Sequence, residues 1–371
     1  MKKLLLAATV ATLAMNAAQA APTLYGKLSV TLDNIDNNGF KDESVVKVNS
    51  NASRLGVKGE EKLTDNLSAV YLAEWEISAD GDGDVFKNRN RFVGIKSNGV
   101  ATLKVGQHDS YFKTAAGNNQ DIFNDHNELD MTKVLVGEDR LTNVIGFETD
   151  KKLLGGLAFN IMFQQGEESE GANSKAKGYE GSRDGFGDGV SASLTYENKD
   201  MGLAAAVAAN RAIASKFNAY SDLTGIYTDA VRVTGSLDLG AMGASGLVLG
   251  ALWQTAKPTD DVVAVITTTK ETGKPDTVTN KSFKGLQEDA YGVTAAYAIP
   301  STPVKLKAQY ISATTEVDGM KDRQQDLYGV GADYQINKQA RFYGIVAQQK
   351  RDWLTKDDKK TTIGLGMEYN F

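Results

Sequence analysis

The chain has 371 residues, with 47 acidic and 41 basic side chains for a formal charge of −6 at pH 7. It contains no cysteine, which excludes a disulfide framework and a thiolate metal site. The acidic balance argues against nucleic acid as a partner, and 37 glycines against 5 prolines suit long strands with crowded faces.

Lys2 and Lys3 precede an apolar run from Leu4 to about Met15, and Ala18-Gln19-Ala20 follows. A basic start, an apolar stretch too short for a bilayer and a small-x-small site mark an export leader. Residues 1–20 are therefore expected to be a cleaved signal peptide. One β-barrel domain over 21–371 remains, with 39 basic residues against 47 acidic ones. Beyond the leader no apolar run approaches the roughly twenty residues of a membrane helix.

From Thr23 onward, short segments alternate apolar and polar residues, the two-residue period of a strand with unlike faces. Leu24, Gly26, Leu28, Val30 and Leu32 form one row, opposite Tyr25, Lys27, Ser29, Thr31 and Asp33. Leu55 and Val57 stand opposite Arg54, Gly56 and Lys58. Ala69, Tyr71, Ala73, Trp75 and Ile77 stand opposite a row ending in Glu74 and Glu76. Phe92 reads as outward, opposite Arg91 and Val93, and Leu103 and Val105 lie opposite Thr102 and Lys104. The pattern returns through Tyr328, Val330, Ala332 and Tyr334. It closes with Ile363, Leu365, Met367, Tyr369 and Phe371 opposite Thr362, Gly364, Gly366, Glu368 and Asn370. Several rows begin or end in an aromatic, as interfacial girdles do.

Short polar connections near 61–66, 97–100, 150–156, 198–202, 238–246, 298–303 and 335–339 alternate with long hydrophilic ones. The long ones lie near 35–49, 78–89, 109–139, 166–188, 211–228, 255–288, 312–325 and 350–360. Such sorting predicts an all-β transmembrane antiparallel barrel of about 16 strands, with short periplasmic turns and long external loops. A soluble sandwich would alternate without sorting its loops by side. A sheet edge finds no water in the bilayer core, so the barrel must close. At this strand number side chains do not fill the interior, and an aqueous channel remains.

Four strings in order carry a resemblance: Leu24-Tyr25-Gly26-Lys27, S-R-L-G-V-K-G-E-E over 53–61, N-R-F-V-G-I-K over 90–96, and the closing Glu368-Tyr369-Asn370-Phe371. Together they resemble the Gram-negative general (non-specific) porins across the whole mature chain. The resemblance implies a homotrimer in the outer membrane, among lipid and lipopolysaccharide, with the third loop folded into each lumen. It also implies that the strand ending in Tyr369 and Phe371 is the signal read by the barrel-assembly machinery.

The family's basic constriction cluster maps onto Lys27, Arg54 and Arg91, and the alternation turns all three toward the lumen. No arginine occupies the family's usual fourth place; Arg140 is the substitute candidate. The third loop, about 109–139, holds Asp121, Asp125, Glu128 and Asp130 interleaved with Ile122, Phe123 and Leu129. Its apolar residues would anchor to the wall while its acids face the pore, although the family's proline-containing acidic signature is missing. Basic wall against acidic loop sets up a transverse field that selects by sign and dipole. Ions and small hydrophilic solutes would pass by diffusion, with a mild cation preference from the acidic excess.

His108 and His126 are the only histidines, and no ligand spacing or nucleophile elbow accompanies them, so neither a metal, a cofactor nor an enzyme is expected. Asn34-x-Asp36-x-Asn38 and Asp80-x-Asp82-x-Asp84 resemble the start of a calcium loop but lack its twelfth-position glutamate. The alternative function is a surface adhesin or phage receptor built on the long loops at 166–188 and 255–288.

Overall fold

The structure is a computed structural model that describes residues 21–38, 43–83, 85–167, 177–260, 264–269, 277–353 and 358–371. The expected leader lies outside the described residues. The strands are β1 (Thr23–Asn38), β2 (Glu43–Ser50), β3 (Arg54–Lys62), β4 (Leu67–Ile77), β5 (Phe86–Ser97), β6 (Ala101–Asp109) and β7 (Arg140–Thr149). Then come β8 (Leu157–Gln164), β9 (Gly189–Asn198), β10 (Leu203–Ser215), β11 (Ile226–Asp238), β12 (Leu247–Pro258), β13 (Ala264–Thr269) and β14 (Thr277–Ser282). The last five are β15 (Gln287–Ala298), β16 (Val304–Glu316), β17 (Arg323–Gln335), β18 (Ala340–Arg351) and β19 (Lys359–Asn370).

Each barrel strand pairs antiparallel with its sequence neighbours, and β1 pairs with β19 from Lys27↔Asn370 to Asn38↔Lys359. The sheet therefore has no free edge. β2 and β3 are two runs of one barrel strand, since β1 pairs with β2 along its upper half and with β3 along its lower half. So counted, the barrel has sixteen strands. β13 and β14 pair only with each other, a hairpin inside the long connection read as loop at 255–288. Asn34 and Asp36 are strand residues opposite Ile363 and Thr361, which removes the first calcium-like string from any loop.

Burial is inverted relative to a water-soluble protein. Leu24 and Leu32 are 62% and 55% exposed on the outer row of β1, while Thr31 and Asp33 on the inner row are 1% and 0% exposed. An outward apolar band facing hydrocarbon explains this pattern. The core lies on the other side of the wall, where the connection between β6 and β7 folds into the lumen. Phe112, Phe123, Leu129, Met131, Leu135 and Val136 from that loop are buried against wall residues that include Leu252, Ile311, Leu327 and Ile345. Each such side chain contributes roughly 1.5–3 kcal/mol by leaving water.

A loop backbone inside a barrel also needs hydrogen-bond partners, and wall side chains supply them. Gln254 donates to the Val136 carbonyl (3.0 Å), Gln309 to that of Leu129 (2.7 Å) and Gln325 to that of Lys133 (2.8 Å). Glu288 accepts from the Val136 N–H at 2.9 Å. Arg232, fully buried, donates to the Phe112 carbonyl (3.3 Å) and to Gln254 (3.0 Å) and pairs with Glu138. The break between β2 and β3 is where the loop tip docks: Asn127 donates to Asn51 Oδ1 (3.0 Å) and to the Ser50 carbonyl (2.9 Å).

Candidate functional site

The loop tip meets the wall at the barrel seam. Lys27 and Arg54 are directly opposed across β1 and β3, an unfavourable arrangement of like charges. Asp125 relieves it. Its carboxylate lies 2.8 Å from Lys27 Nζ, pairs with Arg54, and lies 3.8 Å from Arg89. The Asp125 backbone has φ 67°, a left-handed turn that the short polar Asp side chain tolerates. Asp130 Oδ2 accepts its N–H at 3.2 Å. Burial alone would raise the Asp125 carboxyl, but Lys27, Arg54 and Arg89 beside it hold it below the ordinary carboxylate range.

From this point charges of alternating sign run along the wall in both directions. On one side Arg54 and Arg89 face Glu74, with Arg89 also 3.5 Å from Glu76. On the other, Lys27 is 3.9 Å from Glu368, Glu368 is 2.9 Å from Arg341, Arg341 is 2.8 Å from Asp333, and Asp333 is 3.0 Å from Lys307. The result is a ladder across adjacent strands in which every base has an acid.

Arg91, expected in this cluster, is not in it. A bulge shifts the β4–β5 register, so that Ala73 faces Arg91 but Trp75 faces Asn88. The extra residue reverses the faces. Arg89 points to Glu74 and Asp125, while Arg91 donates to Gln107, its direct partner on β6, at 2.8 Å. It stands in the outward row with Val93 and near Val105, which are 61% and 49% exposed. Phe92, expected outside, is correspondingly inside, edge-on to His108 at 6.0 Å. Arg140 does not reach Asp125 either: it pairs with Asp109 at 3.1 Å and donates to Asn90 at 2.7 Å, tying the two roots of the loop together.

The remaining loop acids have separate places. Glu128 pairs with Lys360. Asp130 accepts from the Thr132 N–H at 2.8 Å and caps a short 3₁₀ turn. Asp121 is half-buried with only Asn124 as a side-chain partner among the described residues. Burial, with Asp130 and Glu138 nearby, pushes its carboxyl up to about 8. Arg89, Arg341, Asp333 and Lys307 were missed by motif matching. The inward phase of β16 to β19, opposite rows such as Val304, Leu306 and Ala308, is the signal that finds the last three.

Both histidines pack against aromatic rings. His108 lies between the rings of Phe92 and Tyr111, and His126 meets the Tyr343 ring edge-on at 6.2 Å. Among the described residues no group of three or more His, Asp and Glu side chains is arranged to hold a metal ion.

These features define a class: a closed sixteen-stranded outer-membrane barrel narrowed by an inward loop. The Gram-negative porin family model matches residues 6–353, and the chain belongs to that family. A major outer membrane protein P.IB of Neisseria meningitidis serogroup B is 31% identical over 183 residues, 47% of this chain and 53% of that protein. The chain thus spans about half the length of such curated relatives. Among solved structures, an anion-selective porin from Comamonas acidovorans superposes with a TM-score of 0.67 at 17% identity, covering 95% of this chain and all of that one. The trimer form of OmpT from Vibrio cholerae gives 0.63 at 18% identity, covering 95% and 100%. At such identities these two likenesses concern the fold alone.

Proposed function

We propose that the chain forms a water-filled channel through which ions and small hydrophilic solutes diffuse, with a mild preference for cations. The observation that carries the reading is the inward loop, whose tip is fastened by Asp125 to a ladder of fixed charges inside a barrel too wide to be filled. Fixed charges lining a narrow aqueous passage select by sign. The ladder bases are each matched by an acid, so their fields largely cancel. On the loop, Asp130 has no cationic partner within ion-pair distance among the described residues, and Asp121 joins it as its carboxyl ionises, which makes the passage beside the loop negative. A homotrimer is the assembly we propose, since one fold neighbour is a trimer; outer-membrane lipid and lipopolysaccharide surround it. Single-channel current across a planar bilayer under a KCl gradient tests the function. Conductance in steps of three with a potassium-favouring reversal potential is expected, and a folded barrel that passes no current overturns it.

A second reading, a surface receptor, draws on the external side. Arg323 stacks on Tyr220 at 3.8 Å and faces Trp353 at 5.5 Å, and Tyr220 meets Phe283 edge-on. Loops packed in this way present a defined surface, which suits recognition by an adhesin target or phage. Whole-cell binding before and after substitution of Tyr220 tests it.

A further inference from the structure

The half of the lumen that the loop leaves open carries an apolar patch. Leu72 on β4 and Phe92 on β5 are direct cross-strand partners, and both are partly exposed to the channel. On the covered half, by contrast, Leu252, Ile311, Leu327 and Ile345 are buried beneath the loop. Leu72 has Lys58 of β3 as its partner on the other side. Lys58, Leu72 and Phe92 therefore stand side by side across three strands, about 5 Å apart at each step.

Tyr25 widens the patch. Its ring fills the space beside Gly56, where an added Cβ would lie 2.5 Å from it, and Lys58 Nζ sits 4.8 Å from its centroid. Phe92 is held from the far side by the His108 ring and by Lys104 Nζ at 4.9 Å. Lys104 is paired with Glu148, and the ladder bases have their own acids. Lys58 differs: it is exposed and has no acidic partner among the described residues. The patch lies one pair of residues below Glu74 and Arg89, about 7 Å toward the short-turn side.

We propose that Lys58, Leu72, Phe92 and Tyr25 form a solute subsite for small carboxylates with an aromatic or branched apolar body. The apolar body displaces water from Leu72 and Phe92, and the carboxylate meets the free ammonium one strand away. A hydrophilic anion gains only the charge, and an apolar cation is repelled by Lys58. The proposal rests on the channel reading and adds a solute class to it.

Benzoate and acetate are the probes, added at matched millimolar concentration to single channels carrying KCl current. Benzoate is expected to reduce the current saturably and acetate is not. In Lys58→Gln the benzoate effect, read against that variant's own KCl current, should need about tenfold more benzoate; in Leu72→Asn it should be lost. Equal effects of the two anions, or benzoate action unchanged in both variants, overturn the subsite while leaving the channel intact. Should a folded barrel pass no KCl, the channel reading fails on its own. Saturation-transfer NMR of benzoate on the detergent-solubilised protein then decides the subsite: a signal weakened in Lys58→Gln supports it and an equal signal overturns it.

Discussion

The carboxylate of Asp125, carried on the inward loop, lies 2.8 Å from the ammonium of Lys27 on the first strand, so the loop tip is tied to the seam where the barrel closes. Asp125→Asn leaves Lys27, Arg54 and Arg89 with one anion fewer among them. Loss of a largely buried partner in such a cluster costs about 2–3 kcal/mol, discounted for the water the site retains. The reversal potential under a KCl gradient should move toward chloride, and amides of the loop tip should exchange faster with solvent. An unchanged potential would show that Asp125 does not set the field.

Arg89 and Arg91 differ by two positions and stand on opposite faces. Arg89→Gln should shift selectivity toward cations, because Glu74, Glu76 and Asp125 then outweigh the remaining bases. Arg91→Gln should leave selectivity where it was. The same reversal-potential measurement separates the two, and a shift in the Arg91 variant alone would return that residue to the lumen.

This pair marks the limit of what the sequence reveals. Alternation places Lys27, Arg54, Glu74 and Glu368 in the wet rows because their strands keep an unbroken two-residue period. The string Asn88-Arg89-Asn90-Arg91 reads the same with or without an extra residue, and only cross-strand register exposes the bulge. The resemblance implied that the loop enters the lumen, but the wall partners of Phe123 and Leu129 were hidden, since they lie on β16 to β18, nearly two hundred residues later in the chain. A pairing at that separation leaves no periodic trace. Strand number, by contrast, was legible, because each hairpin announces itself locally.

Arg232 is 0% exposed and holds Glu138, Gln254 and the Phe112 carbonyl at the base of the loop. Arg232→Gln leaves Glu138 without its cation, a change of about 3–5 kcal/mol for a buried pair. The expected readout is a noisier open-channel current and a lower unfolding temperature. Adding Glu138→Gln should recover part of the loss, because the stranded charge goes with it. A double variant as damaged as the sum of the singles would show that the pair does not interact.

Asp121 gives the channel a pH dependence. Its carboxyl, pushed up to about 8, is largely neutral at pH 7 and ionises as the pH rises through that value. Cation preference should therefore grow between about pH 7 and 9, where ordinary carboxylates have long been charged. Asp125, held low, contributes no change in that window. Asp121→Asn should flatten the profile, and a profile that survives this substitution would assign the titration elsewhere.

Gly26 and Phe371 together close the barrel. The Gly26 N–H donates to the Phe371 carbonyl at 2.9 Å, and the Phe371 N–H donates back to Gly26 at 3.0 Å. The Phe371 ring lies over Gly26, where an added Cβ would come within 2.3 Å of it, and Tyr369 stacks on that ring at 6.4 Å. Gly26→Val should lower the yield of folded barrel, followed by the mobility shift on heating in gels, because the seam cannot seat both side chains. Pairing Gly26→Ala with Phe371→Ala removes the clash along with the ring and should refold in vitro better than Gly26→Ala alone. In cells that double variant should still assemble poorly, if Phe371 is also read by the assembly machinery. Normal assembly in cells would confine the ring to a packing role at the seam.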